Sequence, residues 1–365
     1  MSGVQRLKET FNQTEKQLAG HGKRNVSILK EAFEGVSAGM MSDQYGTGAV
    51  IEDFQQKMAA FLGKEAAEFF PSGTMAQQAA LRIWSDEKGV PRVAYHPLSH
   101  LEIHESDALK ELHRIDSVLL TDPDKVITLE DIRRLEAPVS CILLELPQRE
   151  IGGQLPPYEE LEAISAYCRE HGIRLHMDGA RLLEVLPVYG KSASEVSALF
   201  DSVYLSVYKG IGGIAGAVLA GDAGFIDQAK VWKHRHGGNL ISLYPYIMAA
   251  DHHFEKRKDR FGDYYTEAKA LAARFSGLPL VTTLPDVPVS NMFHVHISLP
   301  KEQAARALAE VQEQTGIGIA ASLKDAGADR SYFEMALGDA YAELTEAELD
   351  DLFSRLGRAL EAVRA

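Results

Sequence analysis

The sequence predicts a two-domain α/β protein with a mostly parallel sheet, on three observations. The chain has 365 residues, more than one small core requires. From about Gln44 to Gly221, short apolar runs alternate with amphipathic helical patterns, the signature of parallel strands covered on both faces. After Asp222 that alternation stops and helical patterns take over.

The elements follow in order. Val50–Leu62 has apolar residues at helical spacing and ends at Gly63. Glu68-Phe69-Phe70 reads as a brief strand, followed by Pro71-Ser72-Gly73-Thr74 and a helical run, Met75–Trp84. Val93–Tyr95 and Val139–Leu144 are strands, the second cleanly apolar, and Glu159–His171 is a helix closed by Gly172. Arg174–Met177, Ser202–Ser206 and Ala215–Ala220 complete the strand series. Helices then dominate Phe225–Leu271, with strands at Phe293–Ile297 and Ser331–Leu337 and a last amphipathic helix at Glu346–Val363. The expected division is an N-terminal segment (1–44), a large domain (45–250) and a smaller α+β domain (251–365).

Composition narrows the partners. A net charge of −14 opposes nucleic acid and anionic membranes, while leaving room for a local phosphate site. Residues 1–30 show no charged-then-apolar leader, and Ile211–Ala220 is too short and Gly-rich to cross a bilayer. Cys141 and Cys168 lack metal-ligand spacing. They read as buried free thiols of a cytoplasmic protein, and no metal is expected.

Four segments carry chemistry when taken together. His176-Met177-Asp178-Gly179-Ala180-Arg181 follows a buried strand, which puts a carboxylate at the strand end where open α/β sheets bind ligands. A carboxylate there can hold a pyridine nitrogen protonated; taken alone, an Asp at a strand end is more often a turn or a helix cap. In Ser206-Val207-Tyr208-Lys209-Gly210 a strand runs out into a lone lysine before a run of glycines. Partial burial would free its amine for attack on an aldehyde, and a surface lysine before a turn is the plain alternative. Pro71-Ser72-Gly73-Thr74 opens a helix and suits a phosphate, or an ordinary cap. His100, in Ser99-His100-Leu101-Glu102-Ile103-His104-Glu105, could stack on a flat ring or move protons.

These residues resemble the threonine aldolase and β-eliminating lyase group of fold-type-I pyridoxal-phosphate enzymes. The resemblance runs from about Tyr45 to Arg235 through Tyr45-Gly46, Gly63-Lys64-Glu65-Ala66-Ala67, Pro71–Thr74, Ser99-His100, His176–Arg181 and Lys209-Gly210, and more weakly to Asn291-Met292. It implies a seven-stranded, mostly parallel sheet and pyridoxal 5′-phosphate held by Lys209 as a Schiff base. It further implies Asp178 on the ring nitrogen, His100 stacked on the ring, and Ser72, Gly73, Thr74 and Arg181 around the phosphate or the substrate carboxylate. Sites of the family lie between subunits, so a homodimer or homotetramer is implied, with Lys233 and Arg235 reaching a neighbour's phosphate and Tyr45 at the border.

The implied activity is retro-aldol cleavage of a β-hydroxy-α-amino acid to glycine and an aldehyde. β-Elimination or dehydration, racemisation, and a catalytically degraded cofactor-binding homologue are the alternatives. They stay open because the chain departs from the aldolase pattern near the substrate. Glu145 is followed by Leu146-Pro147-Gln148-Arg149 in place of Glu-Asn-Thr-His, and Tyr208 precedes Lys209 in place of Ser. Phe333 stands where a carboxylate-binding arginine is expected, with Arg330 three residues earlier. Tyr45, Arg149, Arg181 and Arg330 are the candidate substrate contacts. His104, Glu105 and Arg149 lie in loops from which a base could come, and none is assigned.

Overall fold

The computed structural model describes residues 2–364. It divides into two units: Asn25–Glu150 with Leu155–Asp259, and Met1–Arg24 with Ile151–Gln154 and Arg260–Ala365.

The first unit is built on seven strands, β1 (Ala66–Phe70), β2 (Arg92–Tyr95), β3 (Asp116–Leu119), β4 (Cys141–Glu145), β5 (Arg174–Asp178), β6 (Ser202–Ser206) and β7 (Ala217–Gly221). Their order across the sheet is β1-β7-β6-β5-β4-β2-β3. Only β7 runs against its neighbours, β1 and β6; the other pairings are parallel. The interior strands β6 and β7 are buried along their whole length, as strands covered on both faces must be, and that is why apolar residues fill their middles. The C-terminal ends of β1, β2, β4, β5 and β6 therefore share one edge of the sheet, where Pro71, His96, Glu145, Asp178 and Val207 emerge.

Helix α1 (Ala49–Leu62) lies against β1, and helix α2 (Gly73–Lys88) crosses the sheet. Small side chains at Ala76, Ala79 and Ala80 let α2 approach closely, and the Trp84 ring stacks on Phe225 of α3 (Ala223–Arg235) with centroids 4.5 Å apart. Helix α4 (Tyr244–Arg257) has no cap of its own at Leu243. The buried Asp43 supplies one, accepting the N–H groups of Leu243 and Tyr244 at 2.8 Å. Both cysteines are free and buried, and no helix among the described residues is long and apolar enough to cross a membrane.

The second unit carries an antiparallel sheet of β8 (Val281–Leu284), β9 (Met292–Ile297), β10 (Lys324–Asp325) and β11 (Ser331–Ala336), in the order β10-β11-β9-β8. The first helix of the chain, Gly3–Gln13, belongs to this unit because it packs on Lys301–Thr315. There the buried Gln312 donates to Thr10 Oγ1 at 2.8 Å. At the centre sits Phe275, with the rings of Phe353, Phe333 and Phe293 at 5.0, 5.9 and 6.3 Å, all edge-on. Removing a ring so enclosed leaves a cavity as well as lost contacts. Phe275→Ala is expected to cost about 3–5 kcal/mol in urea unfolding, whereas Val287→Ala, exposed in the same unit, should change stability by no more than about 0.5 kcal/mol.

Candidate active site

Asp178 closes β5, and its side chain is only 3% exposed. Its Oδ1 accepts the Ala180 N–H at 3.0 Å and its Oδ2 accepts Gln77 Nε2 at 2.6 Å. The first bond folds the chain sharply over Gly179, where a Cβ would come within 2.8 Å of the Tyr204 carbonyl on β6, so only glycine fits. Burial pushes the Asp178 carboxyl above its ordinary value, while Lys209 and the Ala180 N–H pull it back.

Lys209 stands three residues beyond β6. The loop that carries it is pinned at its base, Val207 N to Gly216 O at 3.2 Å and Gly213 N to Val207 O at 2.8 Å. Burial and then Arg181 hold the Lys209 ammonium below the ordinary lysine value, against the attraction of Asp178 and Glu145. A lysine in this state releases its proton more readily than one in water, as a nucleophilic amine must.

Lys209 and Asp178 line one cavity of about 200 Å³. Ser72, Gly73 and Thr74 line it too, at the start of α2, and Ser72 makes no side-chain capping bond there. The first N–H groups of the helix, which have no partner within it, thus meet the cavity wall with the positive end of the helix dipole. A Cβ at Gly73 would collide with Tyr204 Oη, so the backbone lies hard against that ring. His100 forms a further wall, its Nδ1 3.0 Å from Glu105 Oε1, and Glu105 Oε2 accepts Gln78 Nε2 at 3.0 Å. A wider surface groove of about 860 Å³ runs along β3, where Asp122 and Lys125 pair with each other at the surface. It gathers no comparable set.

The fold brings Ser72, Gly73, Thr74, His100, Asp178 and Lys209 together, and Arg181 acts on the same lysine. Among the loop residues named as possible bases, Glu105 lines the cavity. His104 and Arg149 instead share Glu150, with Oε1 at 3.3 and 3.1 Å. Tyr45 is exposed, with φ of 48° and its N–H on Ile241 O. Lys233 does not reach outward: it is buried, with Nζ 2.5 Å from Glu68 Oε1, so its charge is neutralised within its own unit. Arg235 is exposed, its guanidinium over the Trp232 ring. Arg330 belongs to the second unit, exposed just before β11.

Two residues went unread in the sequence. Gln77, one helical turn after Gly73, points at Asp178; the i to i+4 spacing from the expected phosphate turn was the available signal. Glu145 ends β4 directly beside Asp178 in the strand register, and its position at a strand end was likewise visible. Burial, with Asp178 adding to it, pushes the Glu145 carboxyl up to about 7, while Lys209 and Arg181 oppose the rise.

Comparison with known proteins places the chain. The family model of the beta-eliminating lyases matches residues 29–298, and the chain belongs to that family. A low-specificity L-threonine aldolase of Candida albicans is 34% identical over 225 residues, 56% of this chain and 58% of that protein. Low-specificity L-threonine aldolase 1 of Arabidopsis thaliana is 24% identical over 80% of this chain and 84% of its own length. Among solved structures, a candidate L-allo-threonine aldolase from Listeria monocytogenes EGD-E is 54% identical, with 98% of this chain and 99% of that one covered and a TM-score of 0.96. Serine palmitoyltransferase of Sphingomonas wittichii, at 17% identity over 93% of this chain and 84% of its own, has a TM-score of 0.69 and shares the fold alone. The fold is the fold-type-I arrangement that the sequence predicts.

The raised Glu145 carboxyl carries a stability consequence. Charge on Glu145 is resisted only in the folded chain, so folded stability falls as pH rises from 4.5, its ordinary value, through about 7. Glu145→Gln removes the ionisable proton and should stabilise the cofactor-free protein on the order of 1–3 kcal/mol more at pH 8 than at pH 5. Urea unfolding at both pH values measures this, and an equal effect at both would contradict the assignment.

Proposed function

We propose that this member of the beta-eliminating lyase family binds pyridoxal 5′-phosphate in the 200 Å³ cavity and cleaves β-hydroxy-α-amino acids to glycine and an aldehyde. The observation that carries the reading is the convergence of a buried carboxylate, a lysine with lowered proton affinity and an uncapped helix start on one cavity. That donor set suits the cofactor: Asp178 takes the ring nitrogen, Lys209 the aldehyde carbon, and Ser72 to Thr74 the phosphate. When bound, the cofactor supplies an electron sink that accepts the pair left behind when the Cα–Cβ bond breaks.

The residues of the chain do the rest. Asp178, lacking water around it, binds a cationic ring nitrogen more strongly than an exposed carboxylate would. Lys209 would tether the cofactor through its amine and, when that amine is free, would stand in the cavity with a proton to give or take. Arg181, which already lowers the lysine's proton affinity, is positioned to meet an anionic group of cofactor or substrate. Glu105 steadies His100 through its Nδ1, keeping that ring in one orientation on the cavity wall.

We also propose that two copies associate through the first unit. Large apolar side chains are exposed there at Val26, Met40, Met41, Tyr45, Leu240 and Ile241, and the backbones of Tyr45 and Ile241 touch. An apolar patch of this kind marks an interaction surface, and a second copy is the partner that the family resemblance implies.

Protein supplied with pyridoxal phosphate and L-threonine or L-allo-threonine should release glycine and acetaldehyde in equal amounts, with a visible Schiff-base absorbance. Lys209→Ala should abolish that absorbance and lower turnover roughly 10²–10⁴-fold. Keto acid and ammonia without glycine would identify an eliminating enzyme and overturn the aldol reading.

A further inference from the structure

Behind Asp178 runs a line of buried polar side chains that the proposed reaction leaves without a task. Trp84 Nε1 lies 2.8 Å from Ser202 Oγ, Ser202 Oγ 2.7 Å from His176 Nδ1, His176 Nε2 2.7 Å from Gln77 Oε1, and Gln77 Nε2 2.6 Å from Asp178 Oδ2. All five residues are at most 3% exposed. The spacing follows from the elements: Gln77 and Trp84 are seven residues apart on one face of α2, and His176 and Asp178 two apart on one face of β5. His176 and Ser202 are register partners on β5 and β6.

The direction of the line can be worked out from donor and acceptor capacity. An indole N–H only donates, so Ser202 Oγ accepts from Trp84. The Ser202 hydroxyl keeps one proton to give, and His176 Nδ1 lies 2.7 Å away to accept it. Burial lowers the His176 pKa to about 3, so the ring is neutral; its Nε2 faces Gln77 Oε1, an amide oxygen that only accepts, which puts the one ring proton on Nε2. That N–H donates to Gln77 Oε1, which turns the Gln77 amide N–H toward Asp178. With the Ala180 N–H on Oδ1, both oxygens of Asp178 then accept and neither has to donate.

We infer that Trp84, Ser202, His176 and Gln77 form a one-way hydrogen-bond relay that holds Asp178 as a carboxylate facing the cavity, ready for a protonated ring nitrogen. Gln77 and His176 are positioning residues, acting through Asp178. The opposite orientation, with the His176 proton on Nδ1, would turn Gln77 Oε1 to Asp178 and require a neutral acid there. A neutral acid has no charge with which to keep a pyridine protonated. The relay thus decides whether the cavity can create an electron sink. Its consequence for the cofactor rests on the pyridoxal phosphate reading; its own direction does not.

Neutron diffraction from the perdeuterated, cofactor-free protein reads the direction without any substitution. Deuterium is expected on His176 Nε2 and on the Gln77 nitrogen facing a bare Asp178 carboxylate; deuterium on His176 Nδ1 or on Asp178 overturns the relay. The consequence is read by nitrogen NMR with ring-¹⁵N pyridoxal phosphate in the wild type and in Gln77→Leu. The wild type should keep a pyridinium signal from pH 6 to 9, while the variant should lose it within that range and bind the cofactor roughly tenfold or more weakly. A variant that folds, binds equally well and keeps the pyridinium signal overturns the inference. Wild-type protein that takes up no cofactor would defeat the pyridoxal phosphate reading and leave the neutron map to judge the relay.

Discussion

The structure depends most on the burial of one carboxylate, Asp178, at the edge of a sheet. A carboxylate removed from water is costly unless donors replace the lost hydration. Here the donors come from two sources with different rigidity. The Ala180 N–H is fixed by the turn over Gly179, and the Gln77 amide is fixed by the helix that crosses the sheet. Neither can relax to suit a different group, so the preference for a cation in the cavity is built in before any ligand arrives.

The same edge gathers more charge than it can comfortably hold. Asp178 and Glu145 end neighbouring strands, and Asp178 raises the proton affinity of Glu145, while Arg181 lowers that of Lys209 on the positive side. Asp178, Glu145 and Lys209 are each moved away from the ordinary state by burial first, with neighbouring charges adding to the shift or opposing it. Such a cluster is a poor way to stabilise a fold, since apolar residues of similar volume would do as well or better. It makes sense as a site that is completed by a ligand carrying both a cationic nitrogen and anionic oxygens.

Much of this was legible in the sequence, and what was not has a physical reason. The buried strands β4, β5 and β6 announce themselves because both faces need apolar side chains. The strand β3 gave no such signal: it lies at the sheet edge, with Asp116, Ser117 and Leu119 exposed, so no apolar run was required of it. Asp178 and Lys209 could be found because each follows a buried strand. Gln77 could not be told from any polar helical residue, since its role depends on His176 and Asp178 reaching it across a hundred residues of chain. The surroundings of Lys233 were hidden for a related reason. Its basic neighbours, His234 and Arg235, suggest an outward patch, but the helix turns Lys233 alone inward to Glu68, a matter of helical phase that a short basic run does not reveal.

The net charge of −14 would seem ill suited to a phosphate-bearing ligand and an amino-acid carboxylate. Distance resolves the difficulty. At physiological salt, charges more than about 8 Å away are largely screened, so the many exposed acids count for little inside the cavity. Lys64, Lys57 and their kind pair or hydrogen-bond locally, as most of the surface charge does. At the cavity, Lys209, Arg181 and the first turn of α2 stand beside the acids Asp178, Glu145 and Glu105 and offer positive charge or its dipolar equivalent in a setting from which water is partly excluded. Interactions there gain strength from the lower dielectric. An acidic surface opposes unspecific anion binding, and the groups able to meet an anion are the few that the sheet edge and one helix hold in place.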